Sequence, residues 1–90
     1  MTEEKTKDFS INKDKRSDKK SIVVYNDDVN TFDWVIQSLI EVCDHEPLQA
    51  EQCATLVHFK GKCDVKSGDY HELEPRCLEL LNRQISAKIE

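Results

Sequence analysis

Apolar positions along residues 21–90 alternate between two rhythms, a short continuous or period-two pattern and a longer one near 3.6. Ser21-Ile22-Val23-Val24-Tyr25 is a β-branched run stopped by Asn26-Asp27-Asp28, the pattern of a buried strand entering a turn. Phe32, Val35, Ile36, Leu39, Ile40 and Cys43 then fall at i, i+3, i+4, i+7, i+8 and i+11, one face of an amphipathic helix. Asn30 or Thr31 can cap its first turn, and Asp33 suits the positive end of its dipole. Pro47 opens a second helix with Ala50, Cys53, Ala54, Val57 and part of His58 inward, and Gly61 supplies a left-handed stop. Residues 62–67 read as a modest strand through Cys63 and Val65, closed by Gly68. Leu73, Cys77, Leu80 and Leu81 are the inner face of a third helix. Pro75 is awkward in its interior, so that helix starts near Glu74, follows a distinct turn or is kinked. Residues 85–90 alternate Ile85, Ala87 and Ile89 with Ser86, Lys88 and Glu90, a half-buried terminal strand.

The order β-α-α-β-α-β predicts an α+β fold, a two-layer sandwich with a three-stranded sheet packed against three helices. Residues 1–20 show neither rhythm and few large apolar side chains, and are expected to form a flexible arm ahead of a domain at 21–90. A domain that size buries only about 60% of its unfolded surface, enough for one small core.

Charge sharpens this division. The arm holds seven of the thirteen Lys/Arg but only five of the eighteen Asp/Glu, so the folded part is acidic and the chain carries a net charge of -5. An acidic domain argues against nucleic acid or an anionic membrane as partner. No apolar run approaches the ~18 residues of a membrane span and no signal-peptide core is visible, so a cytoplasmic protein is expected. Cys43, Cys53, Cys63 and Cys77 are then expected to be reduced and mostly buried. Zinc binding with His45, His58 and His71 is a weaker alternative because no CxxC or HxxxH pair is present, and no cofactor is expected.

The candidate chemistry lies in Asn26, Asp27 and His58. An amide oxygen, a carboxylate and a neutral imidazole nitrogen are three acceptors, matching the three N–H donors of a protonated α-amino group. Charge-assisted bonds of this kind contribute roughly 1.5–3 kcal/mol each, and burying one large apolar side chain adds about as much. Set against the cost of association, the sum suggests micromolar affinity. Taken by spacing alone, Asn-Asp-Asp after a strand is more often a turn and helix-cap cluster, and a histidine in the setting of His58 is more often packed and bonded to backbone.

Residues 22–90 resemble the ClpS family. The resemblance is carried by Val24-Tyr25-Asn26-Asp27-Asp28, by Phe32-Asp33-Trp34-Val35-Ile36, and by Leu56-Val57-His58-Phe59-Lys60-Gly61-Lys62 about thirty residues on. It implies an adaptor that binds N-degron substrates, meaning proteins with a free α-amino group and a large hydrophobic first residue. The adaptor delivers them to a Clp-type AAA+ unfoldase-protease. It also implies that Asn26, Asp27 and His58 hold the amine and that Asp28 supports the loop. Val24, Asn30, Thr31, Phe32, Ala54, Val57 and Ile85 are then expected to form the hydrophobic pocket. Phe32 stands where the family usually carries a gating methionine, and Ala54 where a Met is frequent. Glu72, with Arg76, is expected to dock the unfoldase N-terminal domain. A monomer without catalytic activity follows from the same resemblance.

Two rivals remain at this point. One is a structural or ribosome-associated factor-docking module in which Asn26 and His58 only cap and pack. The other is a hydrolase using Cys53 or Cys63 with His58, for which neither a polarised thiol nor an oxyanion hole is visible.

Overall fold

The computed structural model describes residues 19–90. The arm expected at 1–20 therefore lies almost wholly outside the described residues. Six elements follow in chain order: β1 (Lys20–Tyr25), α1 (Phe32–Cys43), α2 (Pro47–Lys60), β2 (Lys62–Gly68), α3 (Tyr70–Asn82) and β3 (Ala87–Ile89). The sheet order is β2-β1-β3 with both pairings antiparallel, which is the α+β architecture expected from the pattern.

The central position of β1 explains its unbroken apolar run, because Ile22, Val23 and Val24 are all buried. Ile22 and Val24 face the helices and join Leu39, Val42, Ala50, Val57, Leu73, Leu80 and Ile85 in one core. Val23, one residue out of phase, points to the opposite face. There its cross-strand partners are Asp64 and Lys88, and the Lys88 ammonium lies 5.9 Å from the Tyr25 ring centroid. The register between β1 and β2 shifts between Ile22 and Val23, a bulge of the kind that lets one extra residue of the partner strand be accommodated.

Local chemistry sets the helix ends. Thr31 rather than Asn30 is the α1 cap, its hydroxyl accepting from the Trp34 N–H at 3.1 Å. Pro47 is the first residue of α2, and Gly61 closes that helix at φ +94°, a left-handed conformation available to glycine at no steric cost. Asp69 caps α3 by accepting from the Glu72 N–H at 2.9 Å, and this cap sets the helix start at Tyr70, so that of the alternatives left open by Pro75 the start near Glu74 does not hold. Pro75 is thus inside the helix; burial of Leu73, Cys77 and Leu80 on either side of it holds the helix through the lost backbone bond.

Two further expectations need correction. Leu81 is exposed, because Leu80 already occupies the inward position and its neighbour is turned by about 100°. The last strand is shorter than 85–90: Gln84 is left-handed at φ 68°, and Ile85 drops into the core before pairing begins at Ala87.

Candidate functional site

The turn after β1 is built around one carboxylate. Asp27 Oδ1 accepts from the Val29 N–H at 2.9 Å, the Asn30 N–H at 3.0 Å and the Asn30 side-chain amide at 3.2 Å, while Oδ2 accepts from the same amide at 2.9 Å. Asn30 Nδ2 also donates to the Gln84 carbonyl at 2.7 Å, so the turn is tied to the segment that enters β3. Burial alone would raise the Asp27 pKa. The N–H groups of Asn30, Val29 and Ser86 and the Asn30 amide outweigh it, and the carboxyl is held below its ordinary value. Asp27 is therefore an anion at neutral pH.

The loop is fixed against the other half of the site through backbone. Asn26 N–H donates to the Gly61 carbonyl at 2.9 Å, and Tyr25 pairs with Lys62 in the sheet. Gly61 lies three residues beyond His58, so the sheet and the C-terminal stop of α2 together bring the imidazole to the loop. His58 is exposed and packs edge-to-face on Phe59, with ring centroids 4.7 Å apart.

Between these parts lies a cavity of about 370 Å³ lined by Asn26, Asp27, Asp28, Asn30, Thr31, Phe32, Val35, Ala54, Val57 and His58. That volume falls within the small-ligand range of about 300–1,000 Å³. Its wall divides by chemistry. Amide, carboxylate and imidazole groups come from the loop and the end of α2, and apolar groups come from the facing sides of α1 and α2. Ala54 and Val57 are buried behind the wall, whereas Phe32 is 43% exposed at its edge.

All three expected amine-binding residues, Asp28, and five of the seven expected pocket residues share this cavity. Val24 and Ile85 do not. Both sit in the core cluster, Val24 on the sheet face that the helices cover and Ile85 on the segment that leads into β3. Val35 is the member missed from the sequence; its i+3 spacing from Phe32 on the inner face of α1 was the available signal. Trp34, next along, turns elsewhere: its indole N–H donates to the Arg83 carbonyl at 3.0 Å, and the Arg83 guanidinium lies 5.4 Å from its ring centroid.

The two residues expected at a docking surface differ in their freedom. Glu72 is exposed in the first turn of α3. Arg76 donates from one nitrogen to the Val42 carbonyl at 2.7 Å and to the Asp44 carboxylate at 3.0 Å, so its charge already serves the C-terminal end of α1.

Cys63 and Cys43 are poorly suited to nucleophilic chemistry. Burial, then the neighbouring Cys53 thiol, pushes Cys63 up to about 12, and burial pushes Cys43 up to about 11. All four cysteines are free. Among the described residues no group of three His, Cys, Asp or Glu is arranged to hold a metal ion, and no helix is long and apolar enough to cross a membrane.

The sequence profile of one family, described as ATP-dependent Clp protease adaptor protein ClpS, matches residues 15–88. No curated protein matches the chain.

Proposed function

The chain belongs to the ClpS family of Clp protease adaptors, and from that premise we propose that its cavity receives the first residue of an N-degron substrate. Adaptors of this family act with Clp unfoldases and their substrates rather than by catalysis. The finer reading is that the ligand is a free α-amino group with a large hydrophobic side chain, presented to a Clp-type AAA+ unfoldase through a surface that includes Glu72.

The observation that carries this reading is the pairing of acceptors with an apolar wall in one cavity. A carboxylate has about four lone-pair positions, and four donor contacts inside the loop occupy most of those on Asp27. Asp27 then contributes chiefly its negative charge and its remaining Oδ2 direction. The Asn26 side-chain oxygen and the His58 ring nitrogen are the freer acceptors, and Asn30 and Thr31 hold the loop rim. Val35, Ala54 and Val57 form the apolar side, and Phe32 stands at its entrance.

A purely structural module accounts for Asp27, whose bonds are those of a turn-former. It gives no reason for an exposed imidazole beside two carboxylates and a cavity. Two labelled peptides that begin with Phe, one with a free N-terminus and one N-acetylated, separate the readings by fluorescence anisotropy. Micromolar binding of the free peptide and at least a tenfold loss on acetylation are expected, since acetylation removes the charge and two donors. Equal affinity for both would overturn the proposal.

A further inference from the structure

Phe59 is 75% exposed and Leu56 43% exposed, three positions apart on the outer side of α2. Residues at that spacing are neighbours on a helix surface. The core does not use either ring or branch, yet the Phe59 ring touches the His58 ring, which places an apolar ridge directly against the polar side of the cavity.

The path of a bound chain gives that ridge an occupant. With the α-amino group at Asn26, Asp27 and His58 and the first side chain in the cavity, the second Cα is 3.8 Å further on. In an extended chain successive side chains point to opposite sides, so the second one leaves the cavity and lies over its rim. We propose that Phe59, with Leu56, forms a second subsite that takes an apolar side chain at position two of the substrate. This inference rests on the proposed N-degron reading and extends it by one residue.

Hydration rather than charge selects the same class. Lys60 and Lys62 are exposed just beyond Phe59, while Asp27 and Asp28 edge the loop across the cavity. A charged second residue would give up part of its hydration on covering the ring. An apolar one gains by covering the ring and Leu56 without giving up hydration of its own.

The test uses the full chain and two free-N-terminus peptides, Phe-Leu and Phe-Gly at their first two positions and otherwise identical. The unmodified protein should prefer Leu at position two by about five- to tenfold, the effect of partly burying one such side chain. In Phe59→Ser the ratio should fall to near one, and Leu56→Ser should lower it part of the way. Exposure of both residues makes misfolding of the variants a minor concern, and circular dichroism checks it. A ratio near one in the unmodified protein overturns the subsite, as does a ratio unchanged in Phe59→Ser. So does an equal loss for both peptides, which would assign Phe59 to positioning His58. A concentration-dependent dimer that Phe59→Ser abolishes without changing the ratio assigns the ridge to a second copy and overturns it equally. If free and acetylated Phe-Leu peptides bind alike, the N-degron reading itself has failed, and that outcome is distinct from all of these.

Discussion

The two ends of α2 place a histidine in opposite circumstances. His45, just before its first turn, is 5% exposed and donates Nε2–H to the Val65 carbonyl at 2.6 Å. A carbonyl only accepts, so the proton is on Nε2, and the buried Nδ1 is left without a partner. His58, in the last turn, is exposed on the wall of a cavity and rests against an aromatic ring. One imidazole is spent on joining α1, α2 and β2; the other is available to a ligand. Residue type alone does not separate them, and the depth of each end of α2 beneath its neighbours does.

The contrast breaks most readily by mutation. His58→Ala should weaken binding of a free-N-terminus Phe peptide about 10- to 100-fold, the loss of one charge-assisted acceptor, while unfolding free energy moves by no more than about 0.5 kcal/mol. His45→Ala should do the reverse. Losing a buried ring and its backbone bond should cost about 2–4 kcal/mol in urea denaturation, with affinity unchanged once corrected for the folded fraction. If His45→Ala loses the peptide without losing stability, or His58→Ala loses stability first, the assignment of roles is reversed.

A smaller effect separates the rigid half of the site from the freer one. Asp27 is held below its ordinary pKa by hydrogen bonds within its own loop, so its ionised form favours the folded state. Its contribution is complete above the ordinary carboxylate value and disappears as pH falls through the lower, folded value. Partial exposure screens it, and about 1 kcal/mol or less is expected. Urea midpoints of the native chain and Asp27→Asn, compared from neutral pH downward, should therefore differ at neutral pH and converge on acidification. A gap that persists below the carboxylate range would show that the charge of Asp27 is not what secures the turn.

Most of the element order was legible because apolar spacing and terminal residues agreed: Pro47 and Gly61 bracket α2, and the run Ile22-Val23-Val24 marks the central strand. The start of α3 was not, because Pro75 reads locally as a barrier, whereas the Asp69 cap six residues before it takes effect only when the buried Leu73, Cys77 and Leu80 carry the helix through the proline. At the site, the loop, α1 and α2 residues that share the cavity, Val35 excepted, could be read from the residues and the family pattern. The places of Val24 and Ile85 could not, since a buried apolar residue reads the same whether the core or a ligand covers it, and both lie in the core cluster. Arg76 shows the same limit for charge, as its engagement by the α1 end depends on a tertiary contact 34 residues away in sequence.

The smallest expected effect concerns the edge of the cavity. Phe32 is partly exposed while Ala54 behind the wall is small, so the entrance is bulkier than the interior that follows it. An aromatic ring is stiffer than the methionine usual there in the family, and it should disfavour first residues branched at Cβ, whose width falls close to the backbone. Phe32→Ala should narrow the preference for Leu over Ile at position one by about two- to threefold, mainly through tighter binding of Ile rather than weaker binding of Leu. The comparison is internal to each variant, so it is insensitive to small changes in folded fraction. An unchanged Leu-to-Ile ratio, with both affinities lowered alike, would make Phe32 part of the wall that every first residue touches and would move the source of selectivity inward to Val35 and Ala54.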